Sequence, residues 1–172
     1  MPGVQSSAMY NSRMSTRLTA CVVLALVVTG CGAREVEKDL AITDVHTGWY
    51  DLGIVDGQNK LVPSISLKLK NVSSDGISRV QLNAVFKRLD GENKEWDAHF
   101  IRGIGPDGLA PGAKGEELVL RSERGYTGEQ PRLQMLQNKA FVDAKVEIFG
   151  KHGSRVWVKL GEFQIDRQLL TE

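Results

Sequence analysis

Net charge, cysteine and aromatic residues are all scarce here, and each scarcity excludes something. In 172 residues, 22 Lys plus Arg stand against 21 Asp plus Glu, a formal net charge of +1. That excludes the strongly basic footprint by which a nucleic-acid-binding domain holds phosphates. Only two cysteines occur, Cys21 and Cys31, too few for the disulfide framework of a small secreted scaffold. Of the four methionines only Met135 lies beyond residue 30, so a thioether site for copper has no ligands. The three histidines, His46, His99 and His152, sit in separate segments with no Cys or Glu at zinc-ligand spacing. No metal and no cofactor are expected.

Long apolar runs are absent, with one exception. Leu18 to Val28 is apolar apart from Thr19. It is too short for a membrane span of about 20 residues. Arg13 and Arg17 precede it, and no acid occurs in the first 34 positions, which is the layout of an export signal. Translation starts at Met1, or at Met14 if the signal is a compact one. Removing this segment takes away Cys21 with two arginines and no acid, so the remainder is nearly neutral and Cys31 is its single thiol.

The residues that follow, Val28-Thr29-Gly30-Cys31-Gly32, resemble the lipobox of bacterial lipoproteins. The resemblance implies that Cys31 receives a diacylglyceryl group and that a signal peptidase cuts between Gly30 and Cys31. Residues 1–30 are then a signal peptide, and the lipid on Cys31 a covalent anchor in the bilayer. Two or three acyl chains give stable anchoring where one is marginal, at about 0.8 kcal/mol per buried methylene. It also implies a location in the bacterial envelope facing the periplasm. Gly32, being other than Asp, favours the outer membrane in organisms that sort by that residue. Residues 31–40 read as an extended tether, since Gly32 to Asp39 carries no turn or helix punctuation; eight residues at about 3.3 Å each span roughly 26 Å.

From Leu40 onward the apolar period is two. Ser64-Ile65-Ser66-Leu67-Lys68-Leu69-Lys70 alternates, as do Val80 to Lys87 and Val142 to Ile148, so each of these segments has one buried and one wet face. Val156 to Ile165 alternates and slips phase at Gly161, where a bulge would return Phe163 and Ile165 to the inner face. Turn residues separate the runs at Asp56-Gly57, Ser74-Asp75-Gly76, Asp90-Gly91, Gly105-Pro106-Asp107-Gly108, Pro111-Gly112 and Gly150 to Gly153. About seven strands result, near 42–55, 62–71, 78–89, 95–102, 116–122, 140–149 and 155–165. They predict an all-β antiparallel sandwich over residues 41–172. One helical turn is expected at Pro131 to Asn138, with Leu133, Leu136 and Gln137 on a common side.

A second resemblance lies inside this domain. Leu69-Lys70-Asn71, the polar hairpin to Gly76, the strand to Phe86, Asp90-Gly91 and Leu109-Ala110-Pro111-Gly112 are similar to the immunoglobulin-like domains of the FxLYD type on bacterial envelope proteins. The namesake motif is partial: Phe86-Lys87-Arg88-Leu89-Asp90 keeps the Phe and the Asp and lacks the Leu and the Tyr. The resemblance implies an immunoglobulin-like sandwich.

No catalytic pattern stands out. There is no Gly-x-Ser-x-Gly turn, and Glu116-Glu117 and Asp90 with Glu92 read as solvated acids. Gly103 to Gly108 reads as a wide turn, because no helix follows to bind phosphate. His99 is expected to point outward, with Trp96, Ala98 and Phe100 inward, and His152 to lie in a hairpin turn. Trp49 and Tyr50, adjacent on a strand, must face opposite ways, so one is a candidate contact with a partner or ligand. Arg124 and Tyr126, in the Arg121 to Thr127 loop, are the other candidates. The sequence therefore predicts a non-enzymatic lipoprotein that serves as an interaction or accessory module of an envelope complex, with an envelope protein as partner and no nucleic acid. Two alternatives stand beside it: a small-ligand carrier with a pocket near Trp49 and the loops at 103–115, and an enzyme whose groups converge only in the fold.

Overall fold

The alternating segments assemble as two sheets in the computed structural model, which describes Gly3, residues 35–91 and residues 94–170. The signal segment and its cleavage and lipidation site, Gly30 and Cys31, lie outside the described residues. In chain order the elements are α1 (Val36–Asp39), β1 (Leu40–Val55), β2 (Gln58–Asn71), β3 (Val80–Arg88), β4 (Glu95–Ile104), β5 (Leu118–Arg121), β6 (Tyr126–Gly128), α2 (Arg132–Gln137), β7 (Ala144–His152), β8 (Val158–Gln164) and β9 (Leu169–Leu170). One sheet runs β5-β2-β1-β9 with β6 also on β2; the other runs β4-β3-β7-β8. All pairs are antiparallel except β1 with β9. The molecule is a β-sandwich.

Each predicted strand has its counterpart, and β6 and β9 bring the number among the described residues to nine. The β1–β2 hairpin closes at Asp56 and Gly57, both at positive φ (52° and 80°), the geometry that matches strand twist in a two-residue hairpin. Alternation places Leu61, Ile65, Leu67 and Leu69 of β2 against Leu82, Ala84 and Phe86 of β3 and Val146 and Ile148 of β7, all essentially inaccessible. Val62, on the other side of β2, pairs with Tyr50 and is equally buried.

Gly161 does carry the expected irregularity. Ile148 pairs with Gly161 but Phe149 pairs with Lys159, so Leu160 is the extra residue, and Phe163 and Ile165 both pack on the core.

Three expectations are corrected. Over residues 36–40 the chain is not a tether: Val36 opens the turn of α1 and is 3% exposed, and Leu40 begins β1 inside the core. Burying those two apolar side chains draws the domain boundary toward the N-terminus. In α2, which starts after Pro131 as expected, Met135 and Leu136 are buried while Leu133 is exposed; the short helix meets the core through its last turn only. The third correction concerns β4. Phe86 pairs with Asp97 but Lys87 with Glu95, and Gln81 pairs with Arg102 but Val80 with Ile104, so Trp96 and Gly103 are bulged residues. Between those bulges the phase is inverted. His99 lies opposite Ala84 and Ile101 opposite Leu82, on the inner face, whereas Ala98, Phe100 and Arg102 look outward. A Cβ at Gly103 would stand 2.9 Å from Leu82 Cγ, which is why the second bulge needs a glycine.

Candidate recognition groove

The outer face of the β4-β3-β7-β8 sheet follows directly from this register. Arg102, Gln81 and Lys151 form one transverse row, and Phe100, Asn83, Phe149 and Lys159 the next. Farther along come Ala98, Val85, Glu147 and Glu162, then Lys87, Lys145 and Gln164. The two ends of this face treat their cations differently.

At the Lys87 end every ammonium has an acid. Lys87 Nζ lies 2.7 Å from Glu147, and Lys159 lies 3.1 Å from Glu147 and 2.5 Å from Glu162. Lys145 bonds Glu162 at 3.1 Å. The Glu147 carboxyl is held below its ordinary range chiefly by the hydrogen bond from Lys87, against the opposing effect of burial. Glu162 is drawn down to about 2 by Lys159 first and Lys145 second. Both acids therefore stay ionised well below neutral pH, and the three lysines of this half keep their two carboxylate partners.

At the Arg102 end the cations form no ion pair among the described residues. Arg79, Gln81, Arg102, Gly105 and Gly153 line a cleft of about 360 Å³, and Gln81, Phe100, Arg102, Lys151 and Trp157 line an adjoining one of about 540 Å³. Among the described residues, neither Arg79, Arg102 nor Lys151 makes an ion pair. Phe100 is 63% exposed. Its ring meets Trp157 at 5.9 Å although β4 and β8 are opposite edges of the sheet, so Trp157, just before β8, folds across the face and walls the groove. Lys151 Nζ sits 4.8 Å from the Trp157 ring centroid, a cation–π contact.

Arg79 adds a strained backbone. Its φ is +55°, the left-handed region, which long side chains seldom adopt. The Arg79 N–H donates to Gly105 O at 3.1 Å and its carbonyl accepts from Gly153 N at 3.2 Å. The β4–β5 loop and the β7–β8 hairpin thus pin it at the mouth of the groove, and strain held by surrounding structure tends to collect at working sites.

The residues singled out from the sequence lie elsewhere. Trp49 is fully buried, and its ring packs on Phe141 (4.6 Å), Tyr126 (5.8 Å) and Trp96 (6.2 Å); it cannot touch a partner. Tyr126 is half-buried and borders a cleft of about 160 Å³ with Gln130, Met135 and Asn138. It belongs to β6, packs on Phe141 at 4.4 Å, and its hydroxyl accepts a hydrogen bond from Val142 N. Tyr50 is half-buried, with the Arg121 guanidinium 3.6 Å from its ring centroid. Arg124 is exposed, and its N–H donates to Ser122 Oγ. The structure therefore packs the half-buried Tyr126 against the buried Trp49, with Tyr50 on the opposite face of β1 and Arg124 exposed in the loop.

His152 is the last residue of β7 and pairs with Val80, while His46 pairs with Ser66 in the other sheet. Among the described residues no three His, Cys, Asp or Glu side chains are placed to hold a metal ion. Asp97 is the most engaged acid outside the ion-pair network. Partial burial opposes its ionisation, but hydrogen bonds from Glu123 N, Ser122 Oγ and its neighbour Ala98 N outweigh this and lower its pKa. It ties β4 to the segment after β5, a structural task.

Comparison with known proteins adds little. No protein-family model and no curated protein matches the chain. Among solved structures, the structural-genomics target SoR45 is similar over 76% of this chain and 89% of its own, at 10% identity and a TM-score of 0.40. A Bordetella pertussis protein provisionally assigned as ApaA is similar over 74% of this chain and 92% of its own, at 19% identity and a TM-score of 0.35. A likeness at that level assigns neither family nor function to this chain, which is described by its own geometry: a β-sandwich with an uncompensated cationic and aromatic groove on one outer face.

Proposed function

We propose that the protein is a lipid-anchored periplasmic lipoprotein with an immunoglobulin-like domain, acting without catalysis as an interaction or accessory module of an envelope complex. The groove between Arg79 and Trp157 is its contact surface. One observation carries the reading: the same sheet face ion-pairs its lysines at one end and, among the described residues, leaves two arginines and a lysine without ion pairs beside an exposed Phe100 at the other. Arginine and aromatic residues are the types that concentrate binding energy at interfaces. Val28-Thr29-Gly30-Cys31 supports the anchor.

The carrier reading has a specific observation too. Arg102, Asp107, Leu109, Lys114, Glu116 and Leu118 are among the residues lining a cleft of about 500 Å³ at the loops where a ligand site was expected. Trp49 takes no part in it, so a ligand there would not report through that ring.

Anchoring is tested by Cys31→Ser in the native host. The expected result is a chain that keeps its signal segment or is released, with loss of the lipid-dependent detergent partitioning of the parent. A variant that is cut normally and retained in the membrane fraction contradicts the anchor.

A further inference from the structure

We infer that the occupant of the groove is an acidic, extended segment of a protein partner; this deepens the reading above and rests on it. Charge selects the sign. Arg79, Arg102 and Lys151 converge on adjoining clefts whose linings contain no Asp or Glu. Since none of the three forms an ion pair among the described residues, a carboxylate brought by a partner gains charge-assisted hydrogen bonds without displacing an existing one. The ion-paired Lys87 end supplies the internal contrast, since its three lysines already hold Glu147 and Glu162.

Shape selects an extended peptide. Lys151 lies over the Trp157 ring and Phe100 leans against it at 61°. Phe100 itself is exposed on an edge strand of the sheet, which suits an apolar side chain set between acids. The two clefts share Gln81 and Arg102 and so form one elongated track, from Gly105 and Gly153 to Trp157. An extended strand presents alternate side chains to such a track. Its acids meet Arg102, Arg79 and Lys151, and its apolar residue meets Phe100.

The probe is a fluorescein-labelled peptide of eight glutamates with one central Phe, read by anisotropy against the full chain in non-ionic detergent. Octalysine and an anionic hyaluronan oligosaccharide serve as comparison arms. Saturable binding of the acidic peptide is expected, weakening as NaCl rises. Arg102→Ala and Lys151→Gln should each weaken it about tenfold, and Arg102→Lys should restore most of the loss. Lys159→Gln removes the same charge from the ion-paired end and should change binding less than twofold. If the peptide binds equally well to Arg102→Ala and Lys151→Gln, or the oligosaccharide binds and the peptide does not, the inference is overturned. Absence of peptide binding alongside partner crosslinking from position 100 overturns the acidic occupant but not the contact surface; absence of both overturns the contact surface as well.

Discussion

Trp49→Ala should lower the free energy of unfolding by about 3–5 kcal/mol, the usual range for deleting a large buried aromatic side chain. The indole is the hub of four rings drawn from β1, β4, β6 and the segment before β7: Phe141, Tyr126 and Trp96 all lie within 6.2 Å of it. Removing it leaves a cavity that β1, fixed between β2 and β9, cannot collapse to fill, so the transfer and cavity contributions add. Trp49→Phe should be much milder, for a separate reason. The Trp49 Nε1 donor is buried without a hydrogen-bond partner, so the smaller ring loses contact area but also removes an unsatisfied polar group. Urea unfolding of both variants measures this, and a Trp49→Ala loss below about 1 kcal/mol would remove Trp49 from the core.

Gly125→Ala should be the most damaging methyl group added at any of the described glycines, at about 3 kcal/mol, the upper end for forcing atoms into packed space. A Cβ at position 125 would fall 2.0 Å from Leu61 O and 2.8 Å from Leu61 C. Those are backbone atoms of the central strand β2, and they cannot swing away as a side-chain tip can. The chain at 125 must therefore retreat, which unpairs Tyr126 from Leu61 and Thr127 from Lys60. Tyr126 then loses its place against Phe141 and its hydrogen bond from Val142 N. Hydrogen exchange should show the loss concentrated in β6 and at residues 141–142. Uniform weakening of both sheets, or none, would contradict this account of Gly125.

The sandwich was legible in the sequence wherever a strand was long enough to show its period. Val80 to Lys87 and Val142 to Ile148 alternate cleanly and form adjacent strands of one sheet, and the phase slip at Gly161 marks a bulge. The strands β6 and β9, of three and two residues, are too short for any period to register. The inner face of β4 could not be assigned by alternation, because Trp96 and Gly103 each insert a residue and reverse the phase between them. That reversal carried Phe100 outward and His99 inward.

The groove was less legible still. Arg79, Arg102, Lys151 and Trp157 come from four separate segments, and only the pairing of Gln81 with both Arg102 and Lys151 aligns them. In isolation each is an ordinary strand-end residue. Trp49 misled for the opposite reason. Aromatic residues bordering Gly and Arg look like surface contacts, but ring area buried in a core stabilises the fold whatever the neighbouring residues are.

The central claim, that the groove meets a partner, is tested most directly in the living envelope by a photo-crosslinking amino acid at position 100. Position 54 serves as the control, since Ile54 is 73% exposed on the other sheet. The account predicts a discrete adduct with one envelope polypeptide from position 100 and none from position 54, with the adduct diminished by Arg102→Ala. Equal adducts from both positions, an adduct from position 54 alone, or none from position 100 would contradict it.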